Sequence, residues 1–260
     1  MKIVRYEADG QPKYGMVEGE QLFPCSGDPF TGLKKQRNEL DLRSAKLLSP
    51  VSPPNVICVG LNYRRHAIEA GEFPSKPLFF LKATTSVCGP GDPIVLPFHD
   101  PEKIDYEVEL AIVIGKKAKG IPETNVSEVI LGYTIANDVS NRAAQFQESQ
   151  WARGKSYDTF CPLGPTIVTD LNADHLNLMC RLDGKVMQTS NTSEMVFSTR
   201  RLVSYLSECM TLLPGTVILT GTPEGVGFAR EPPVFLREGQ VVECEIEGIG
   251  ILSNPVVRQR

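Results

Sequence analysis

Three acidic residues in two short apolar runs carry the strongest chemical signal in this chain. Glu107 and Glu109 stand in Asp105-Tyr-Glu-Val-Glu-Leu-Ala-Ile-Val-Ile-Gly115, and Asp138 closes Gly132-Tyr-Thr-Ile-Ala-Asn-Asp138. Both runs read as strands: they are short, β-branched and bounded by glycine or polar residues. Residues two apart on a strand share a face, so Glu107 and Glu109 project side by side. Neighbouring carboxylates repel unless a proton or cation lies between them. With Asp138 beside them, three hard oxygen ligands would suit Mg²⁺ or Mn²⁺. On pattern alone a Glu-x-Glu pair is more often a solvated strand face, and Asp138 a turn or cap residue.

Other segments could supply the remaining chemistry. Asn62-Tyr-Arg-Arg-His-Ala-Ile-Glu-Ala-Gly71 reads as a short helix, with Asn62 as its cap and Gly71 as its stop. It sets His66 and Glu69 three apart on one face. They form either a surface pair or, near a metal, a pair that activates water or shuttles a proton. Lys155 lies in the loop-like Arg153-Gly-Lys-Ser-Tyr-Asp-Thr-Phe-Cys-Pro-Leu-Gly164. It is an ordinary surface lysine or, beside the carboxylates, an anchor for a substrate carboxylate or carbonyl. Thr220-Gly-Thr-Pro-Glu-Gly-Val-Gly227 is a tight turn or an anion-holding nest. It lacks the Gly-Lys-Ser/Thr ending of a P-loop. His99 and His175 sit in turn-rich contexts and receive no role.

The elements that must position these residues are mostly strands. Lys2–Tyr6 and Lys13–Val17 flank an Asp9-Gly10 turn and read as a hairpin. Residues 40–48 suggest a short helix, and the proline-rich 49–54 stretch a linker. Further strands are expected at 78–81, 178–181 with 185–188 across Asp183-Gly184, 216–220 and 241–246. An amphipathic helix should start near Thr199, burying Leu202, Val203, Leu206, Cys209, Met210 and Leu213, and end at Pro214-Gly215. Residues 142–153 read as another helix or a mobile loop. The expected class is therefore α+β and β-rich, with a small N-terminal β-rich domain over 1–50 and a catalytic domain over 51–260. No internal repeat or low-complexity segment is present.

Bulk properties exclude several classes. The net charge of −4, from 27 basic and 31 acidic residues, leaves no footprint for nucleic acid. No polybasic block points to a membrane surface, and no apolar stretch is long enough for a membrane span. The N-terminus resembles neither a signal nor a transit peptide. Seven scattered cysteines without a Cys-x-x-Cys suit free thiols in a reducing cytoplasm.

Taken together, the segments resemble the fumarylacetoacetate hydrolase family. The matching pieces are Cys58-Val-Gly-Leu-Asn-Tyr63, His66-x-x-Glu69, Asp105-Tyr-Glu-Val-Glu-Leu110, Asn137-Asp-Val-Ser140, Gly154-Lys-Ser-Tyr-Asp-Thr-Phe-Cys-Pro162 and Leu219-Thr-Gly-Thr-Pro-Glu-Gly-Val-Gly227. They occur in family order and span 55–257. Ser190-Asn-Thr-Ser-Glu-Met-Val-Phe197, Pro232-Pro-Val-Phe-Leu236, Val242-Glu-Cys-Glu-Ile-Glu247 and the Lys155–Pro165 stretch resemble its oxaloacetate tautomerase branch.

The resemblance implies a mixed β-roll, a homodimer and one Mg²⁺ or Mn²⁺ per chain on Glu107, Glu109 and Asp138. It implies His66 and Glu69 as an acid–base pair on a lid, Lys155 as a catalytic, substrate-holding residue, and Arg142, Gln145 and Thr222 in the substrate site. The implied activity is keto–enol tautomerisation of oxaloacetate, a small 2-oxo dicarboxylate, through a metal-bound enolate. Acylpyruvate- or fumarylacetoacetate-type C–C hydrolysis, oxaloacetate decarboxylation and hydroxymuconate-type isomerisation are alternatives within the family. A catalytically silent metal- or metabolite-binding protein is the alternative outside catalysis. The segment Ser140-Asn-Arg-Ala-Ala144 departs from the family's usual Ser/Thr-Ala-Arg-Asp: Asn141 and Ala143 replace alanine and aspartate.

Overall fold

A computed structural model describes residues 1–71 and 73–259. The chain folds around a 13-stranded sheet whose main path runs Gly32–Lys35, Gln21–Asp28, Gln11–Glu18, Lys2–Ala8, Cys161–Val168, Ile130–Asn137, Val108–Ile114, Val217–Leu219, Val56–Gly60 and Leu78–Lys82. A five-stranded sheet runs Ile94–Leu96, Gly250–Arg258, Val241–Ile246, Asn177–Leu182 and Lys185–Asn191. Both sheets are mixed: Val56–Gly60 pairs parallel to Val217–Leu219, and Ile94–Leu96 parallel to Gly250–Arg258, while most other pairs are antiparallel. The β-rich α+β expectation is met.

Strand Val108–Ile114 lies inside the large sheet and is buried along its whole length. Its even-numbered residues Leu110 and Ile112 enter the core shared with Leu178, Cys180, Val242 and Cys244 of the small sheet. Its odd-numbered Ala111 and Val113 enter a second core with Ile3, Ala136, Leu163 and Leu219. A strand buried on both faces has no solvated side on which to place charge. Glu109 continues the odd-numbered face, so its carboxylate is buried by position.

The first hairpin forms as read, with Lys2 opposite Val17 and Ala8 opposite Gln11. Strand Lys2–Ala8 also pairs with Cys161–Val168, which joins the N-terminal strands to the large sheet. Residues 40–48 do not form a helix. Leu40–Asp41 and Leu47–Leu48 pair with Gln21–Leu22 and Arg5–Tyr6 on either side of a 3₁₀ turn, so edge pairing overrides local preference.

Four α-helices are described: α1 (Arg64–Glu69), α2 (Arg142–Gln147), α3 (Ala152–Lys155) and α4 (Thr199–Cys209). The 142–153 stretch is thus two short helices. The cap of α1 is Tyr63, not Asn62. The Asn62 amide instead donates to Phe197 O and Thr220 O and accepts from Phe197 N, which pins the loop entering α1.

Ser198 caps α4, and Leu202, Val203 and Leu206 are fully buried. The apolar stripe stops there, because Cys209, Met210 and Leu213 are exposed as the helix ends. Leu206→Ala should therefore cost about 2–5 kcal/mol. Leu213→Ala, at a side chain 41% exposed, should stay within about 0.5 kcal/mol. Urea unfolding of both variants checks this; equal losses would mean that the chain just past α4 is packed as firmly as the helix itself.

Candidate active site

Glu107 lies in the break between strands Ile104–Asp105 and Val108–Ile114, not within a strand as the sequence suggests. Its N–H donates to Asn137 Oδ1 at 3.0 Å, and its C=O accepts from Asp138 N at 2.9 Å. These two bonds tie the segments bearing Glu107 and Asp138 at one point. Glu109 sits two residues on, in the face shared with Ala111. The result is the carboxylate trio Glu107, Glu109 and Asp138, with one ligand oxygen from each lying within 4.8 Å of the others, all buried.

Three cations surround the trio. Lys155 Nζ lies 2.7 Å from both Glu107 Oε2 and Asp138 Oδ2. Lys82 Nζ lies 2.5 Å from Asp138 Oδ1 and donates to Val139 O at 3.1 Å. Arg142 reaches Glu107 Oε1 at 2.6 Å, Asp105 Oδ2 at 2.8–2.9 Å and Gln145 Oε1 at 2.9 Å. Three of the five guanidinium N–H donors thereby hydrogen-bond to the protein, and Nη2 also ion-pairs with Asp105. Asp105 also accepts from Tyr106 N, Gly227 N and Phe228 N, which locks the 225–228 loop against the site.

The charges do not balance. The buried carboxylates are Asp105, Glu107, Glu109 and Asp138; the buried cations are Lys82, Arg142 and Lys155. Among the described residues one negative charge lacks a cationic partner, and it falls on Glu109. That carboxylate accepts only the Gly221 N–H, at 2.6 Å. Gly221 makes this contact with φ +96° and with a would-be Cβ 2.7 Å from Asn62, so only glycine fits. Burial pushes the Glu109 carboxyl well above the usual carboxylate range, and the charges of Asp138 and Glu107 add to the effect. Burial alone would also raise Glu107, but Lys155 and Arg142 overcome it and hold Glu107 at about 2. Burial pulls the Lys155 ammonium down, yet Asp138 and Glu107 keep it above its ordinary value. Three convergent carboxylates short of one counter-charge fit a divalent cation, which Glu107, Glu109 and Asp138 could hold.

A cavity of about 160 Å³ opens onto this cluster. Its wall includes His66, Glu107, Glu109, Arg142, Gln145, Lys155 and Thr222, so seven of the nine site residues read from the sequence face it. Asp138 lies behind Lys155, and Glu69 behind His66. His66 Nδ1 pairs with Glu69 Oε2 at 2.8 Å. The Thr222 hydroxyl donates to Val108 O and accepts from Gln188 Nε2, so it also ties the loop to the strand. Asn141, one of the departures from the family pattern, caps α2 by accepting from Ala144 N and so fixes the helix that carries Arg142.

Lys82, Asp105, Gln188 and the aromatic wall of Phe80, Phe146, Trp151 and Phe228 had no assigned role in the sequence. Asp105 could have been suspected as a third acid in its run. Lys82 ends an apolar strand with no motif around it. Trp151 leans over Gly60, where a Cβ would lie 2.8 Å from the ring.

Among the described residues no helix is long and apolar enough to cross a membrane. All seven cysteines are free and five are buried.

The unpartnered Glu109 charge has a measurable consequence. A carboxyl whose folded pKa is raised adds stability below its unfolded pKa and loses it as pH rises through the folded value. In chelator, Glu109→Gln should therefore be more stable than wild type at pH 8, by roughly 1–3 kcal/mol. The difference should vanish below about pH 4. Thermal unfolding at both pH values checks this; a wild type more stable than the variant at pH 8 would show that Glu109 is not short of a counter-charge.

The fumarylacetoacetate (FAA) hydrolase C-terminal family model matches residues 55–257, and an Rv2993c-like N-terminal model matches residues 1–50. A mitochondrial oxaloacetate tautomerase of Xenopus laevis is 46% identical over 234 residues, covering 87% of this chain and 73% of that protein. A 5-carboxymethyl-2-hydroxymuconate delta-isomerase from Mycobacterium smegmatis superposes with a TM-score of 0.91 at 42% identity, over 100% of both chains. A fumarylacetoacetate hydrolase from Exiguobacterium antarcticum does so at 0.87 and 35%, again over 100% of both. The chain is an enzyme of this isomerase-and-hydrolase type, and it belongs to the fumarylacetoacetate hydrolase family.

Proposed function

We propose that the protein is a Mg²⁺- or Mn²⁺-dependent keto–enol tautomerase of oxaloacetate or a closely similar 2-oxo dicarboxylate. The observation that carries this reading is the carboxylate trio one counter-charge short, beside a small cavity whose wall also carries His66, backed by Glu69. The tautomerase name of the Xenopus laevis relative supports the substrate.

When bound by Glu107, Glu109 and Asp138, the divalent ion supplies Lewis-acid charge that favours an enolate. The chain's own residues do the rest. Lys155 stays an ammonium, because Asp138 and Glu107 hold its pKa up, so it serves as an anion anchor and not as a base. Arg142 spends three N–H donors on Asp105, Glu107 and Gln145; it stiffens the site and keeps the remaining N–H groups for substrate. His66 is the base on the cavity wall. Its Nδ1 is held by Glu69, which leaves Nε2 to take the proton from C3 of the keto acid or return it to the enol. Gln145 and Thr222 complete the substrate wall, and the aromatic side chains keep water away.

Helix α1 is the lid in this reading. Its Ile68 side chain is 73% exposed. Its polar ties to the 220–227 loop are long, Arg65–Glu224 at 3.5 Å and Gly225 N–Glu69 Oε1 at 3.4 Å, and such contacts hold weakly. The same reading takes residues 1–50 as a small N-terminal β-rich domain and 51–260 as the catalytic domain, the two sharing one sheet through Lys2–Ala8. It places the protein in a reducing cytoplasm, supported by the free cysteines. It makes the protein a homodimer, supported by the edge strand Leu78–Lys82, whose Leu81 is 56% exposed.

Wild type should speed the loss of enol-oxaloacetate absorbance in a Mg²⁺-dependent way, and His66→Ala should slow that reaction about 10²–10⁴-fold. Rapid acetylpyruvate cleavage with no acceleration of enol loss would replace the tautomerase with a C–C hydrolase. Oxalate, which mimics the enolate, should slow hydrogen exchange across residues 62–71 in the presence of Mg²⁺. Identical exchange with and without oxalate would remove the lid from the mechanism.

A further inference from the structure

Each of the three converging carboxylates has one oxygen fixed by a separate protein donor. Lys82 Nζ holds Asp138 Oδ1 at 2.5 Å, Arg142 Nη2 holds Glu107 Oε1 at 2.6 Å, and the Gly221 N–H holds Glu109 Oε2 at 2.6 Å. The opposite oxygens of Asp138 and Glu107 are turned toward Lys155. Asp138 Oδ2 and Glu107 Oε2 meet at Lys155 Nζ, 2.7 Å from each, on the cavity wall. Lys82 itself does not reach the cavity and is fully buried, with its second bond to Val139 O. Its ammonium therefore acts on the site only through Asp138.

We propose that Lys82 is a positioning residue which, together with Arg142 and the Gly221 N–H, restricts each carboxylate to a single inward oxygen and so makes the site select a small octahedral cation over Ca²⁺. The inference rests on the metal reading above. Mg²⁺ accepts six near-octahedral oxygens at about 2.0–2.1 Å and keeps several waters, so three single-oxygen ligands suit it. Ca²⁺ takes 6–8 oxygens at about 2.3–2.6 Å and commonly recruits both oxygens of a carboxylate. A tethered outer oxygen cannot swing inward unless its hydrogen bond breaks. For Asp138 that bond is charge-assisted and shielded from water, hence among the strongest of its kind. Of the three tethers, Lys82 is the one that can be removed without touching the cavity wall or a glycine-dependent turn.

The test compares Mg²⁺ and Ca²⁺ affinity by calorimetry in wild type and Lys82→Met. Loss of the ammonium changes the local charge for both ions alike, so the ratio of affinities is the readout. Wild type should prefer Mg²⁺, and in Lys82→Met the Mg²⁺-to-Ca²⁺ ratio should fall about tenfold or more, the scale on which partners of metal ligands act. Carboxylate stretching bands in infrared difference spectra of wild type and Lys82→Met give a second measurement, whose wild-type arm tests the proposal without the variant. They should show single-oxygen coordination with either ion, and a two-oxygen band should appear only with Ca²⁺ in Lys82→Met. An unchanged ratio in a folded Lys82→Met, or two-oxygen coordination already in wild type, would overturn the proposal. If wild type binds neither cation, the metal reading fails and this proposal falls with it.

Discussion

The site depends on ionised groups held where water cannot reach them. Seven charged side chains, Lys82, Asp105, Glu107, Glu109, Asp138, Arg142 and Lys155, are packed into one buried cluster. Each would carry a penalty of several kcal/mol if buried alone. They tolerate burial because nearly every carboxylate oxygen meets a cation or a backbone N–H. Removing one partner of such a pair typically costs about 3–5 kcal/mol, since it strands the other charge. The cluster is therefore a structural requirement as well as a chemical one, and Glu109 is the place where its balance is left open.

The fold serves that constraint. Strand Val108–Ile114 is buried on both faces, which leaves its N-terminal end as the position where Glu109 can meet Glu107 and Asp138. The break before the strand lets Glu107 spend its backbone groups on Asn137 and Asp138 instead of a regular ladder. Asp105 fastens Arg142 and the 225–228 loop together, and Gln188 fastens Thr222 to the strand through Val108. Positioning thus comes from side chains that never touch the cavity. Such supports fix the geometry of a charged site more firmly than the facing residues could by themselves.

Against this rigid wall stands a lightly held one. Helix α1 is six residues long, exposes Ile68 and carries His66 with Glu69. In the proposed mechanism, a proton-transfer pair on this weakly tied element would let substrate enter without disturbing the carboxylates. The rigid half sets the electrostatics of the site.

Much of this was legible in the residues. The two acidic runs, the His-x-x-Glu spacing, the Asp9-Gly10 and Asp183-Gly184 hairpins and the buried half of α4 follow from local pattern, because period and turn chemistry are short-range properties. The resemblance between motifs supplied their grouping. Other features were not legible. The 40–48 stretch pairs as strands because edges were available to it, Asn62 clamps a loop instead of capping α1, and Met210 and Leu213 face solvent because α4 ends before them. Lys82, an unremarked lysine at the end of an apolar strand, meets Asp138 across 56 residues of chain. The sequence by itself determined which groups are acidic, basic or apolar and which of them share a local face. Tertiary structure alone decided how many charges entered one dry volume, because that number depends on side chains brought together from distant strands.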